Sequence, residues 1–341
     1  MEKAEILKKC REYNNSNDIL YYLIRQKRSD AYAVIHVPCN YLYRNDENQF
    51  FGTCIYVSEN NVSEAMRPDF PTRKRLCGIP MVKICERTDS QGVHSLTNPE
   101  IRQLPFRHRI DSDPRFSSAF IPAYTCFECE DVVGITEPKA ALADLCRRNS
   151  DARSFTSALS DRFGISPEQI GITGSAALGA ERRGDYDVIF YGSPDELRRI
   201  SGIMADINRK QGTPKIGGMP LPFRMIFQGN IVDVLYVYDS LTLDGIHSAR
   251  QIRTDVAFSC RVTDDTLVLQ SQPFLKVDSE DFSSLFLAES FFHSVLKKGD
   301  VIEGRGDLLR WEHDGKSEDI MFCKTPLVQL KNWPQYFYRY E

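Results

Sequence analysis

Small residues and carboxylates follow one another closely between residues 170 and 190 of this chain. Gly174-Ser175 comes after a short apolar run, and small residues allow a backbone to approach a ligand closely. Asp185 and Asp187 stand on either side of Tyr186. Because alternate side chains of a strand share a face, these two carboxylates would project together, about 7 Å apart. Hard oxygen ligands of this kind suit Mg²⁺ bound together with substrate phosphates.

A third carboxylate lies inside a second apolar run. Asp233 interrupts Ile231 to Val237, where a charge is costly unless it is paired or binds a metal. The run before it is joined to it through Gln228-Gly229-Asn230, a sequence typical of a tight hairpin. We therefore expect Asp233 on a strand next to the one that carries the paired aspartates. Two acidic residues further along are rivals for the same role: Asp239 and Asp244.

The elements that must position these groups alternate between helix and strand. Glu137-Pro138 places proline at the first position of a helix, and apolar residues follow at helical spacing until Gly164. Ser193-Pro194-Asp195-Glu196 is a capping box that opens an amphipathic helix through Lys210. The segment therefore predicts helix, strand, turn, strand, helix and hairpin in that order.

The order of the motifs resembles that of the DNA polymerase β-like nucleotidyltransferase superfamily over roughly residues 138–238. A Gly-Ser pair, nine residues, an Asp-x-Asp pair and a later Asp on a strand carry the resemblance. It implies that Gly174 and Ser175 hold a nucleoside triphosphate such as ATP. Arg182 and Arg183, just before the carboxylates, are candidate contacts of the triphosphate.

The resemblance also implies a metal centre. Asp185 and Asp187 would bind two Mg²⁺ ions, and Asp233 would complete the site and help to activate the attacking hydroxyl. The alternative for these residues is a structural turn and a charge pair on an edge strand.

These assignments predict an enzyme, a metal-dependent nucleotidyltransferase. It would transfer a nucleoside monophosphate from the triphosphate to an acceptor hydroxyl and release pyrophosphate. RNA, DNA, protein, an antibiotic and a second nucleotide all stay open as acceptors, and the flanking modules favour a macromolecule such as nucleic acid. The second hypothesis is a catalytically inactive nucleotidyltransferase-fold protein that acts as an RNA-binding or antitoxin-type partner. The presence of all three carboxylates argues against it.

The predicted fold class is α+β, with a nucleotidyltransferase (polymerase β-like) mixed-sheet core at residues 136–240. Runs rich in Val, Ile, Tyr and Phe predict a β-rich N-terminal module at 1–135, opened by helix from Ala4 to about Lys27. A second β-rich module is predicted at 241–341, with a hairpin through His313-Asp314-Gly315.

Composition describes an ordinary globular protein, 42% hydrophobic and 26% charged. The N-terminus is charged and polar and no apolar stretch is long enough to span a bilayer, so we expect a cytoplasmic protein without a membrane partner.

A net charge of −4 argues against a strongly basic nucleic-acid-binding protein. Local basic clusters usually form a solvated face. One such cluster comprises Arg67, Arg73, Lys74 and Arg75. The oligomeric state is open.

Ten cysteines in 341 residues are too sparse for a disulfide scaffold. Cys126-Phe127-Glu128-Cys129 has the spacing of a zinc-ligand pair. A second such pair is missing, so two unrelated thiols are the alternative to a structural zinc. Partners for a zinc ion would come from His36, Cys39, Cys54, Cys77 and Cys85.

Overall fold

The computed structural model describes residues 2–13, 18–25, 31–37, 48–89, 92–96, 101, 125–180, 185–212, 214–216, 219–221, 223–239, 248–270, 273–287, 296–313, 316–323 and 329–330. These residues divide into two compact units. Unit 1 takes those in 1–117, 121–153 and 171–184, and unit 2 takes those in 154–170 and 185–341. The predicted modules 1–135, 136–240 and 241–341 stay a prediction.

The α-helices of the described residues are α1 (Lys3–Tyr13), α2 (Pro138–Arg148), α3 (Ser150–Phe163), α4 (Gly174–Ala177) and α5 (Pro194–Gln211). The strands are β1 (Leu20–Arg25), β2 (Tyr32–Val37), β3 (Gln49–Ser58), β4 (Arg73–Leu76), β5 (Ile79–Lys83), β6 (Glu86–Asp89), β7 (Gly92–Ser95), β8 (Thr125–Glu128), β9 (Val132–Thr136), β10 (Ile170–Ile172), β11 (Tyr186–Gly192), β12 (Lys215–Ile216), β13 (Met219–Pro220), β14 (Arg224–Phe227), β15 (Asn230–Tyr238), β16 (Ser248–Leu267), β17 (Phe274–Asp278), β18 (Ser284–Leu287), β19 (Val301–His313), β20 (Lys316–Cys323) and β21 (Gln329–Leu330).

The fold class differs from the prediction. Among the described residues, strands form sheets of seven, six, four, two and two strands, several of them antiparallel or mixed. The chain is therefore β-rich, and the predicted α+β class with a nucleotidyltransferase (polymerase β-like) core is wrong. The predicted class was taken from the core at residues 136–240, with β-rich modules expected on both sides, and the two longest strands, β16 and β19, lie in the second of these flanking segments.

The seven-stranded sheet of unit 1 has the order β4-β5-β3-β2-β1-β9, with β8 paired to β3. Side chains alternate along β1, so its two faces build two cores. Tyr22 packs in one core with Cys10 of α1. Tyr21 packs in the other with Leu76, Met81 and Leu178. The segment that follows α4 is thus anchored on the second face of this sheet.

The helix predicted from Ala4 to about Lys27 is right only for its first half. Helix α1 ends at Tyr13, and Leu20–Arg25 is the strand β1, paired with β2 and β9. The burial pattern of this strand explains the error, because four of the six residues of Leu20–Arg25 are buried, three of them consecutive. A continuous apolar run is typical of an internal strand and has no helical period.

The four-stranded sheet has the order β10-β11-β15-β14, and its strands β11, β15 and β14 lie in unit 2. Strands β11 and β15 are parallel, and β14 and β15 form the predicted antiparallel hairpin. The division between the units passes through β10, after Ile170. Phe155 of α3 stacks on Tyr186 at 4.3 Å between ring centroids, and α5 buries Leu197, Ile200 and Met204.

The six-stranded sheet of unit 2 has the order β16-β17-β18-β20-β19-β21, and β16 also pairs with β19. The hairpin predicted around residues 313–315 is confirmed, since His313 and Lys316 are register partners at the ends of β19 and β20.

Candidate metal-binding site

Strand register brings the predicted carboxylates together. In the parallel pair of β11 and β15, Asp187 lies opposite Asp233. Asp185 comes directly before β11, two residues from Asp187. The residue between them, Tyr186, is buried against Phe155, so the side-chain alternation of a strand turns the two carboxylates to the opposite face.

One carboxylate oxygen from each of Asp185, Asp187 and Asp233 lies within 4.8 Å of the others. All three residues are half-buried. Within the described residues, this is the one group of three or more His, Cys, Asp or Glu side chains that approach so closely. The donor set fits Mg²⁺, a hard cation that prefers carboxylate oxygens.

A fourth side chain, Arg224 of β14, completes the cluster. Its register partner on β15 is Asp233. Its Nε donates to Oδ1 of Asp233 and its Nη2 to Oδ2, which makes the pair bidentate. The same Nη2 lies 3.4 Å from Oδ2 of Asp185. The side chains of Arg224 and Asp233 are 15% and 14% exposed, so a nearly buried guanidinium neutralises part of the negative charge.

Sequence reasoning missed Arg224, although a signal for it existed. In a hairpin with the two-residue turn Gln228-Gly229, Phe227 pairs with Asn230, and counting outward pairs Arg224 with Asp233. Both turn residues have positive φ, 48° for Gln228 and 77° for Gly229, as a type I′ turn requires. An Arg opposite a buried Asp was therefore predictable from the turn.

The electrostatics of this pair depend on burial. Burial raises the pKa of the Asp233 carboxyl above its ordinary value, and the hydrogen bonds from Arg224 act in the opposite direction. The same hydrogen bonds raise the pKa of the Arg224 guanidinium. The charged form of Asp233 is thus favoured by a positive charge held next to it, from an arginine or from a metal ion.

The rival carboxylates do not join the cluster. Asp239 is exposed and follows the end of β15, six residues beyond Asp233. At the rise of a strand this is about 20 Å away. Asp244 lies outside the described residues.

The Gly-Ser pair lies in unit 1, whereas the carboxylates lie in unit 2. Gly174 opens the one-turn helix α4 with a φ of 64°, a conformation that favours glycine. Its N–H donates to the Tyr21 hydroxyl at 3.1 Å. Nζ of Lys74 donates to Oγ of Ser175 at 3.0 Å. Side chains of the seven-stranded sheet therefore hydrogen-bond to both residues of the Gly174-Ser175 turn.

Two further predictions fall partly or wholly outside the described residues. Arg182 and Arg183, the candidate triphosphate contacts, are among the undescribed ones. Of the proposed zinc pair, Cys129 is buried with its Sγ 2.8 Å from Sγ of Cys10, and the side chain of Cys126 is not described. A structural zinc stays a prediction.

Comparisons with known proteins assign the chain to no family. Neither protein-family models nor curated proteins nor solved structures match the chain. The functional argument therefore depends on the residues themselves. Of the described helices, none combines the length and apolar character that crossing a lipid bilayer requires.

Proposed function

We propose that the chain is a metal-dependent nucleotidyltransferase. It transfers a nucleoside monophosphate from a nucleoside triphosphate to an acceptor hydroxyl, with release of pyrophosphate. The observation that carries the proposal is that carboxylate oxygens of Asp185, just before β11, of Asp187 on β11 and of Asp233 on the adjacent β15 lie within 4.8 Å of one another. The order of the Gly-Ser and Asp-x-Asp motifs, which resembles that of the polymerase β-like superfamily, supports it.

The three aspartates are the residues that would hold Mg²⁺. When bound, two Mg²⁺ ions would lower the pKa of the attacking hydroxyl and neutralise charge on the leaving pyrophosphate. Asp233 is the more buried of the two carboxylates that contact Arg224, with 14% of its side chain exposed against 41% for Asp185. Its restricted position suits it to orient the acceptor hydroxyl, and Arg224 holds it there.

Of the residues proposed to bind the triphosphate, Gly174 and Ser175 lie in unit 1. Gly174 and Ser175 would bind the phosphates, with Arg182 and Arg183 as further contacts. Nucleic acid is the acceptor that we favour, and the cytoplasm, which supplies nucleoside triphosphates and Mg²⁺, is the location that fits this chemistry.

A labelling experiment tests the proposal. The protein is incubated with each α-labelled nucleoside triphosphate, Mg²⁺ and candidate acceptors, and the molecule that takes up label is identified. We expect transfer by the wild type and a loss of at least about 100-fold in Asp187→Asn, because charge stabilisation by a bound metal is worth several kcal/mol. Asp239→Asn is the matched control, since this exposed carboxylate lies beyond the end of β15. Full activity in Asp187→Asn would contradict the assignment.

One observation favours a second function, a nucleotide- or RNA-binding protein without turnover. Arg224 already satisfies Asp233 through a bidentate ion pair, as in a purely structural charge cluster. Calorimetric titration with each nucleoside triphosphate and Mg²⁺, followed by an assay for pyrophosphate, separates the two functions. Binding without pyrophosphate release, with every acceptor tried, would favour the second.

A further inference from the structure

Unit 1 places a lysine at the Gly-Ser turn. Lys74 lies on β4, 101 residues before Ser175 in the chain, and its Nζ donates to the Ser175 hydroxyl at 3.0 Å. Its neighbours Arg73 and Arg75 are exposed, whereas Lys74 is half-buried. Because side chains alternate along a strand, Lys74 points to the opposite face from these two arginines. The basic cluster that sequence reasoning treated as one solvated face is thus divided between two faces.

The charge of Lys74 has no acidic partner among the described residues. Within the described part of the chain, its ammonium group donates one hydrogen bond, to the neutral Ser175 hydroxyl, and forms no ion pair. An ammonium group has three donors. As far as the described residues are concerned, two donors and the positive charge are therefore available to an anion at the turn.

The turn and the lysine are anchored on the same sheet. Besides the bond from Gly174 to Tyr21, the N–H of Cys77, just after β4, donates to the carbonyl of Leu178 at 2.9 Å. Leu178 also packs with Tyr21 in the second core of unit 1. The hydroxyl oxygen of Thr173, a residue only 2% exposed, has no hydrogen-bond partner within the described residues. The turn is therefore fixed by hydrogen bonds to the sheet, and the Thr173 hydroxyl beside it has no hydrogen-bond partner within the described residues.

We propose that Lys74 binds the phosphate chain of the nucleotide at Gly174-Ser175. The inference rests on the proposed function and names a residue that the resemblance does not supply. An ammonium and a hydroxyl recognise phosphate oxygens and carry no information about the base. Lys74 therefore contributes equally to binding of all four nucleoside triphosphates and much less to binding of a nucleoside.

Calorimetric titration with inorganic tripolyphosphate tests the inference without turnover. We expect Lys74→Ala to bind tripolyphosphate about 10- to 100-fold more weakly than the wild type, the usual effect of losing a charge-assisted hydrogen bond. Arg73→Ala is the matched control, because it removes the same charge from the other face of β4, and we expect it to bind within about twofold of the wild type. Equal losses in the two variants, or none in Lys74→Ala, would overturn the inference.

A second measurement uses the wild type, in case Lys74→Ala does not fold. Amine acylation at each lysine is followed by mass spectrometry with and without tripolyphosphate. We expect tripolyphosphate to slow acylation of Lys74 several-fold and to leave Lys298, which is exposed, unchanged. Acylation of Lys74 at the same rate in both samples would refute the inference.

The two proposals fail in different ways. If tripolyphosphate binding depends on Lys74 but no acceptor takes up label, the lysine is a phosphate-binding residue and the transferase proposal is wrong. If label is transferred but tripolyphosphate binding is the same in Lys74→Ala, the transferase proposal stands and the role of Lys74 is wrong.

Discussion

Arg224 determines how the carboxylate cluster behaves without metal. A nearly buried carboxylate without a counter-charge is costly, and the bidentate pair between Arg224 and Asp233 offsets part of that cost. The guanidinium also lies 3.4 Å from Asp185, so it neutralises charge on two of the three proposed metal ligands. A divalent cation that binds there must share these oxygens with Arg224 or displace it.

Arg224→Ala should therefore destabilise the metal-free protein. We expect a loss of about 3 kcal/mol in the free energy of unfolding in EDTA, because the variant leaves a nearly buried charge unpaired. Saturating Mg²⁺ should restore part of this loss, since the cation replaces the missing charge. Denaturant unfolding of wild type and variant, with and without Mg²⁺, measures both effects.

Arg209→Ala is the control for this prediction. Arg209 has 74% of its side chain exposed and pairs with Asp206 on the same helix. Its loss should cost less than about 0.5 kcal/mol, with or without Mg²⁺. If Mg²⁺ stabilises Arg224→Ala no more than it stabilises the wild type, then Mg²⁺ does not replace the arginine's charge at the three carboxylates.

At the scale of elements, close backbone approach shapes the six-stranded sheet. Gly306 lies on β19, in the part of this strand that has β16 on one side and β20 on the other. A Cβ at this position would lie 2.5 Å from the carbonyl oxygen of Phe322 and 3.0 Å from its carbonyl carbon. Backbone atoms of a paired strand cannot move aside as the end of a flexible side chain can. Position 306 therefore requires glycine, because a larger residue would collide with the backbone of Phe322 on β20.

Gly306→Ala should destabilise unit 2 by about 1–3 kcal/mol, the usual cost of overpacking. Gly202→Ala in α5 is the matched control, because a Cβ there meets nothing within 4 Å. That substitution should stabilise the helix by about 0.5–1 kcal/mol, since alanine loses less backbone freedom on folding. Opposite signs in denaturant unfolding are the expected result, and a neutral Gly306→Ala would contradict the close approach.

At the scale of the whole molecule, the described residues divide into two units, and we expect different buried charged or titratable groups to affect the stability of each. The stability of unit 2 involves the Arg224 ion pair and, under the proposed function, Mg²⁺. In unit 1, burial lowers the pKa of His36 to about 4 from its ordinary 6.5. His36 lies on β2, and its ring is 5.3 Å from that of Tyr21, between centroids. Unit 1 therefore holds this histidine neutral.

The His36 pKa predicts a loss of stability in acid. Above pH 6.5 the folded and unfolded states both keep His36 neutral, so it costs nothing there. As the pH falls from 6.5 towards 4, the unfolded state takes up a proton that the folded state does not, and the free energy of unfolding decreases. Between these limits the loss reaches about 3 kcal/mol, at 1.36 kcal/mol per pKa unit.

Hydrogen exchange of peptides from β2 and β3 measures this loss for unit 1. Carboxylates also titrate in the same range, so the test is the difference between the wild type and His36→Gln, which has no proton to take up. The decrease in protection between pH 7 and pH 4.5 should be smaller in the variant by about 2 kcal/mol. Parallel profiles for the two proteins would show that His36 does not control the acid stability of unit 1.

Local sequence determined several elements near the candidate site. Pro138 begins α2, the box from Ser193 to Glu196 caps α5, and Gln228-Gly229 turns the hairpin. Asp233 lies on a strand, as its apolar surroundings predict. These features depend on interactions between residues a few positions apart, such as caps, turns and side-chain alternation.

Only the tertiary structure decided the rest. The register that sets Asp187 against Asp233, the contact of Arg224 with Asp185 and the bond between Lys74 and Ser175 join residues from 39 to 101 positions apart. Local patterns do not encode such pairings, because register and sheet order follow from how whole strands bury their apolar faces. For the same reason the sequence indicated β-rich modules before residue 136 and beyond residue 240, but not how their strands are ordered and paired within sheets.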